Sequence, residues 1–99
     1  MGVPAVHRLI QALHGEVSKD LAGHLLYFAL PVGVRHKLDA QAFLAEVNKL
    51  DAAELLGRQA RLLGQAQYPG IQQEWSTVTS LLVQFVALEE DLIGRCASW

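Results

Sequence analysis

The residues best suited to chemistry in this 99-residue chain are four histidines, one cysteine and a run of three acidic side chains. His7 and His14 are seven residues apart, which separates them by about 10 Å along a helix. One metal ion cannot bind both, because helical ligand pairs use a spacing of four. His24 and His36 add no ligand pattern. The sequence therefore predicts no metal site and no cofactor.

The other reactive side chains also lack a catalytic arrangement. Cys96 has no second cysteine within a CxxC motif, and its place near the end of the sequence would enclose a nucleophile poorly. The consecutive Glu89, Glu90 and Asp91 diverge around a helix, so they cannot flank one bond. The sequence contains no nucleophile elbow and no glycine-rich phosphate loop. We therefore expect that the protein is not an enzyme.

The elements available to position any site are helices. Leu, Ala and Gln are abundant and favour helix. Hydrophobic residues make up 52% of the chain and charged residues only 18%, which excludes intrinsic disorder. A single domain covering residues 1–99 would have too little charge to coat its own surface. This shortage of charge favours association through apolar faces.

Proline, glycine and capping residues divide the first part of the chain. Pro4 suits the first turn of a helix. The apolar pattern that follows fits either one helix to Leu30 or two helices meeting at Gly15, and Glu16 in a new first turn favours two. Pro31 is expected to end this region, and the segment from Pro31 to Arg35 to form a loop.

Three further signals divide the rest of the chain. Asp39 is a candidate N-cap. Asp51-Ala52-Ala53-Glu54 resembles a capping box for a helix from Ala52 to about Gln67. Tyr68-Pro69-Gly70 indicates a turn, followed by a last helix from about Ile71 to Arg95. The sequence therefore predicts an all-α fold, a compact bundle of four to five helices with short loops and a long amphipathic C-terminal helix.

The last helix carries a coiled-coil-like seam with alternating steps of four and three residues. The seam consists of Ile71, Trp75, Val78, Leu82, Phe85, Glu89, Leu92 and Cys96. Glu89 is its one charged position, and a single polar residue on a seam can fix the helix register. The seam fits either the central helix of the domain's own bundle, which we favour, or pairing with another chain.

The helix before it carries a strip of small residues. Ala53, Gly57, Ala60 and Gly64 recur at steps of four, three and four, opposite a face of leucines. Glycine is unfavourable inside a helix, so two glycines on one strip indicate close approach of another backbone. We favour internal helix packing as the explanation, with docking of a partner helix as the alternative.

Charge argues against nucleic acid, although one arrangement resembles a DNA-binding motif. Helices over 39–50 and 52–63 joined by a tight turn have the outline of a helix-turn-helix, with Arg58, Gln59 and Arg61 as groove readers. The turn carries the acidic Asp51, however, and the net charge is −2. Nucleic acid is therefore kept only as an alternative partner.

The same sequence favours an intracellular, cytoplasmic setting. One cysteine cannot form an internal disulfide, and the chain starts without a secretory apolar segment. Its longest apolar stretch, residues 78–88, is shorter than the ~20 residues of a membrane span. Val6 replaces the Ser or Thr of a myristoylation signal, and the ending Cys96-Ala97-Ser98-Trp99 departs from a prenylation signal.

These observations predict a non-enzymatic helical protein–protein interaction module, serving as an adaptor, assembly or regulatory subunit. It would bury apolar helix faces against a second copy, as a homodimer, or against a partner helix. The predicted partner-binding residues are Trp75, Val78, Leu82, Phe85, Leu92, Gly57, Ala60 and Gly64. One alternative is a DNA-binding regulator that uses Arg58 and Arg61. Another is a small-ligand-binding or catalytic bundle with its pocket around His24, Tyr27 and His36.

Overall fold

A computed structural model describes residues 3–97 as a set of helices with short connections. It is 86% helical and has no strand in this range. The helices are α1 (Val3–Leu13), α2 (Lys19–His24), α3 (Leu30–Glu46), α4 (Leu50–Gln65), α5 (Gln67–Ile71) and α6 (Trp75–Cys96), with a π-helical segment (Leu25–Ala29) joining α2 to α3. The predicted all-α bundle with a long C-terminal helix is confirmed. None of these helices is long and apolar enough to cross a membrane.

The helical region breaks near Gly15, with α1 before the break and α2 after it. α1 ends at Leu13, and α2 begins at Lys19 rather than at Glu16. The Ser18 hydroxyl sets this start, because it accepts a hydrogen bond from the Leu21 backbone N–H at 3.1 Å. The residues between the helices are exposed except for the half-buried Val17.

Pro31 lies inside a continuous helix, so the predicted helix end and loop at residues 31–35 are wrong. The π-helical segment explains this result. The Leu30 N–H donates to the Leu25 carbonyl, five residues back instead of four. This wider turn directly precedes Pro31, whose ring would clash with the carbonyl of a regular α-helical turn.

The boundary between α3 and α4 also differs from the predicted one. Asp39 lies within α3 and caps nothing, and α4 begins at Leu50 with no side-chain cap, so the predicted capping box is wrong. Asn48 ends α3 instead, with φ at 62°. The Lys49 N–H then donates to the Leu44 carbonyl at 2.8 Å. Asparagine tolerates this left-handed conformation well, so the turn needs no glycine.

The predicted turn at residues 68–70 is a short helix, α5. The true turn lies later, at Gln73, whose φ is 60°. The Glu74 N–H donates across this turn to the Pro69 carbonyl at 2.8 Å. As a result, Ile71 belongs to α5 and α6 begins at Trp75.

The core consists of two apolar clusters along an elongated molecule of 42 × 20 × 17 Å. At the four-helix end, α1, α2 with the π segment, the second half of α4 and the first half of α6 enclose the larger cluster. At the three-helix end, only the later parts of α3 and α6 and the first half of α4 enclose the smaller cluster. α1 packs against α6 at the four-helix end and has no counterpart at the other end.

Candidate functional site

A polar layer of Lys37, Gln59 and Glu89 crosses the core between the two clusters. Lys37 Nζ and Glu89 Oε2 are 2.6 Å apart. Gln59 Nε2 donates to the same Glu89 oxygen at 3.0 Å and to the Phe85 backbone carbonyl at 3.2 Å. The Lys37 ammonium also lies 5.3 Å from the centre of the Phe85 ring. One carboxylate therefore links α3, α4 and α6 at a single level.

This layer accounts for the charged position on the α6 seam. The Lys37 and Glu89 side chains are only 16% and 14% exposed, so each needs the other as a partner. Gln59 is fully buried, and its Oε1 is the buried side-chain oxygen without a hydrogen-bond partner among residues 3–97. A shift of any one helix along its axis would separate these polar groups, which favours a single register.

The other seam residues pack mainly inside the chain. Val78, Leu82 and Phe85 are buried at the four-helix end, and Leu92 is buried in the smaller cluster. Trp75 is half-buried against the larger cluster. The seam therefore serves the domain's own core, and a role for these residues in binding another chain stays a prediction.

The strip of small residues on α4 is only partly internal. Gly57 and Ala60 are buried, and a Cβ at Gly57 would collide with the Gln41 side-chain amide of α3. The absence of a side chain therefore permits close packing of α3 on α4 at this point. Gly64 is exposed, and a Cβ there would meet nothing within 4 Å. Its role as a partner contact also stays a prediction.

An exposed apolar surface remains at the three-helix end, and we call it the open face. It consists of Ala40, Phe43 and Val47 at the end of α3, with Ile93 of α6. Phe43 is 62% exposed, Val47 48% and Ile93 55%. Side chains of this size are usually buried, and their sequence neighbours Leu44 and Leu92 are part of the smaller cluster or pack against it. The bundle therefore leaves these apolar side chains uncovered.

Helical phase shows that the open face continues the side of α3 that faces α1. The groove between α1 and α3 is lined on the α3 side by Ala29, Val32, Gly33 and His36. Steps of four, three and four from His36 lead to Ala40, Phe43 and Val47 on the same side of α3. On α6, Ile93 lies seven residues, or two turns, after the buried Val86. The open face therefore continues the side of α3 that lines the groove beside α1.

The groove beside α1 is a second candidate site. It has a volume of about 480 Å³ and a mostly apolar lining that includes Ala5, Leu9 and Phe28, with His24 and His36 as its imidazole groups. The His24 and Phe28 rings are 5.1 Å apart. The sequence also placed Tyr27 here, but Tyr27 is 83% exposed and does not line the groove.

Arg58 and Arg61 lie on the exposed edge of α4. They line a shallow depression of about 330 Å³ with Leu62, Gln65 and residues of α6. Gln59 is not a groove reader, because it is buried and its amide donates into the core. α3 and α4 pack along their length as an antiparallel hairpin, with Gln41 beside Gly57, unlike the crossed helices of a helix-turn-helix.

The remaining reactive residues do not converge. Within residues 3–97, no three His, Cys, Asp or Glu side chains are placed to hold a metal ion. His7 and His14 are exposed, and Cys96 is an exposed free thiol at the end of α6. Met1, Gly2, Ser98 and Trp99, which belong to the two lipidation motifs considered above, lie outside the described residues.

The apolar residues of the open face are visible in the sequence, but the predicted helix start at Asp39 lies inside α3. Phe43, Leu44 and Val47 have the spacing of one apolar stripe on a helix. In the longer α3, Leu44 turns toward the smaller cluster, whereas Phe43 and Val47 are exposed.

Fold and surfaces together define the class as an all-helical bundle with an incompletely covered core. The sequence matches the family described as the YobF C-terminal domain over residues 1–96, and the chain belongs to that family. No curated protein and no solved structure matches the sequence.

Proposed function

We propose that this chain is a non-enzymatic helical interaction module that uses its open face to bind a helix of another protein. The observation that carries the proposal is the exposure of Phe43, Val47 and Ile93 at the end of the molecule that has the smaller core cluster. Burial of these side chains by a docked helix would gain about 25 cal/mol for each Å² of apolar surface removed from water. Binding would complete a four-helix arrangement along the whole molecule.

Site-specific photocrosslinking in host cells tests the proposal. A photoreactive phenylalanine analogue replaces Phe43 or Ile93, and Tyr68 serves as the matched control because it is an aromatic side chain, 69% exposed, on α5. We expect a discrete adduct from the two open-face positions and none from Tyr68. Peptide mass spectrometry should map the adduct to one helical segment. Equal labelling from Tyr68, or no adduct from either open-face position, would refute the proposal.

A small-ligand site is the second candidate function, and the groove beside α1 favours it. Its volume of about 480 Å³ is within the range of small-molecule sites. Its lining combines apolar side chains with two imidazoles able to hydrogen-bond a polar group. Native mass spectrometry of the purified chain should then show a bound small molecule. Phe28→Ala should lose the molecule and the control Tyr27→Ala should keep it, whereas a ligand-free wild type would refute this function.

A further inference from the structure

We propose that the helix docking on the open face is basic and amphipathic, with apolar residues on one side and Lys or Arg along both edges. This inference rests on the proposed function and adds the chemistry of the partner. Its basis is the charge around the open face and the nature of α1, the helix that packs on α6 at the four-helix end.

Acidic residues border the apolar surface on both sides. Asp39 and Glu46 lie on α3 three or four residues from Phe43, so they flank it on the helix surface. On α6, Glu90 lies three residues before Ile93. All three carboxylates are exposed. A helix seated between α3 and α6 would have an acidic side chain along each edge.

The wider charge distribution has the same sign. Of the ten acidic residues in the chain, seven lie within 39–54 and 89–91, which belong to the three-helix end and the polar layer. Of the eight basic residues, this region holds Lys49, Arg95 and, in the polar layer, Lys37, so acidic residues exceed basic ones by seven to three. Complementary charge guides association and selects partners, so this end of the molecule favours a cationic ligand.

α1 is the helix of this chain that packs on α6 and lines a groove beside α3. It has the sequence VPAVHRLIQAL, with Val6 and Leu13 buried and with no acidic residue. His7 and Arg8 are exposed beside its apolar side. The open face begins near Ala40 and continues to Val47, about 10 Å of helix axis. A partner segment of two to three helical turns fits this length.

The same charges argue against a second copy as the occupant. A two-fold dimer would place the open face of one chain against that of another, since a symmetric interface uses the same patch twice. Both copies would then bring the same acidic residues, Asp39, Glu46 and Glu90, into one interface, and like charges across an interface oppose binding. The occupant is therefore a different protein surface.

Binding of designed peptides tests this inference on the intact chain. A stapled helical peptide carries leucines on one face and lysines along the edges, and a second peptide replaces each lysine by glutamate. A third keeps the lysines and scrambles the leucines. We expect the basic amphipathic peptide to bind about ten-fold more tightly than either of the others, with the advantage over the acidic peptide decreasing as salt increases.

Charge reversal on the protein locates the effect. Glu46→Lys with Glu90→Lys should weaken binding of the basic peptide about ten-fold. The control, Glu16→Lys with Gln11→Lys and Gln72→Lys, changes the net charge equally at exposed positions elsewhere and should leave binding nearly unchanged. Fluorescence anisotropy measures both, and circular dichroism checks folding.

The possible failures separate this inference from the proposed function. Equal binding of basic and acidic peptides, or equal effects of the two sets of variants, would overturn the charge requirement. Sedimentation of the free chain as a dimer that Phe43→Ser dissociates would overturn it as well, because the occupant would then be a second copy. Crosslinking from Phe43 and Ile93 tests the module independently of the partner's charge.

Discussion

The two ends of the molecule are built on the same helices but differ in how fully they are covered. α4 and α6 run through both, yet the four-helix end has a cluster of twelve buried residues and the three-helix end a cluster of four, among residues 3–97. The difference comes from α1, which supplies Val6 and Leu13, and from the π segment with the start of α3, which supplies Leu25, Leu26, Ala29 and Leu30. The same two long helices thus border a large cluster in one half of the bundle and a small one in the other.

The excess of apolar residues leaves exposed side chains at both ends. A 99-residue domain buries about 60–65% of the surface of its unfolded chain. Phe43, Val47 and Ile93 are exposed beyond the polar layer of Lys37, Gln59 and Glu89. At the four-helix end the exposed ones are Tyr27, Phe28, Tyr68, Ile71 and Val83. The two ends therefore differ in the size of the buried cluster beneath these side chains.

The largest expected effect is a contrast between two leucines of α6. Leu82→Ala removes a side chain with no exposed surface from the larger cluster, and should lower the free energy of unfolding by about 4 kcal/mol. Leu92→Ala acts in the smaller cluster, beside the open face, and should cost about 2 kcal/mol because the site can relax. Urea unfolding followed by circular dichroism measures both. Equal losses would mean that the two ends form one uniform core.

The next effect concerns the boundary between the ends. Glu89→Ala would leave the Lys37 ammonium and the Gln59 amide without their shared acceptor, at a cost of about 2 kcal/mol. Glu89→Gln keeps one acceptor oxygen and should cost less. The adjacent Glu90→Ala is the control, and its exposed position predicts a change below about 0.5 kcal/mol. If Glu89→Ala matched this control, the polar layer would not hold the ends together.

The smallest effect tests how the four-helix end accommodates its proline. The Leu30 N–H donates to Leu25, and Pro31 has no N–H, so the Leu26 carbonyl lacks its usual helical donor. Gln67 Nε2 donates to it at 3.1 Å. Gln67→Leu should therefore cost about 1.5 kcal/mol.

A double-mutant cycle separates this mechanism from simple loss of packing. Pro31→Ala supplies a backbone donor at residue 31, so Gln67→Leu should cost less in that background than in the wild type. The same loss in both backgrounds would show that Gln67 does not substitute for the missing helical donor.

Local signals predicted much of the architecture. The step of four and three along the last helix correctly indicated that Val78, Leu82 and Phe85 share one buried face. The break near Gly15 was also correct. Pro31 was misread because a proline usually ends a helix, and no local pattern announces a π turn that accommodates it. The capping residues Asp39 and Asp51 were misread for a related reason, since long-range packing of α3 on α4 outweighs a weak local preference.

By itself, the sequence determined that the chain is helical, where its apolar stripes lie and how its charge is divided along the chain, because these depend on residue type and spacing. The tertiary structure alone decided which stripes are covered. Phe43 and Val47 have the same spacing as a core stripe, yet they are 62% and 48% exposed, and α3 lines the groove beside α1 only as far as His36. Burial of an apolar stripe depends on where a second helix packs, and the spacing of residues within one helix does not determine that position.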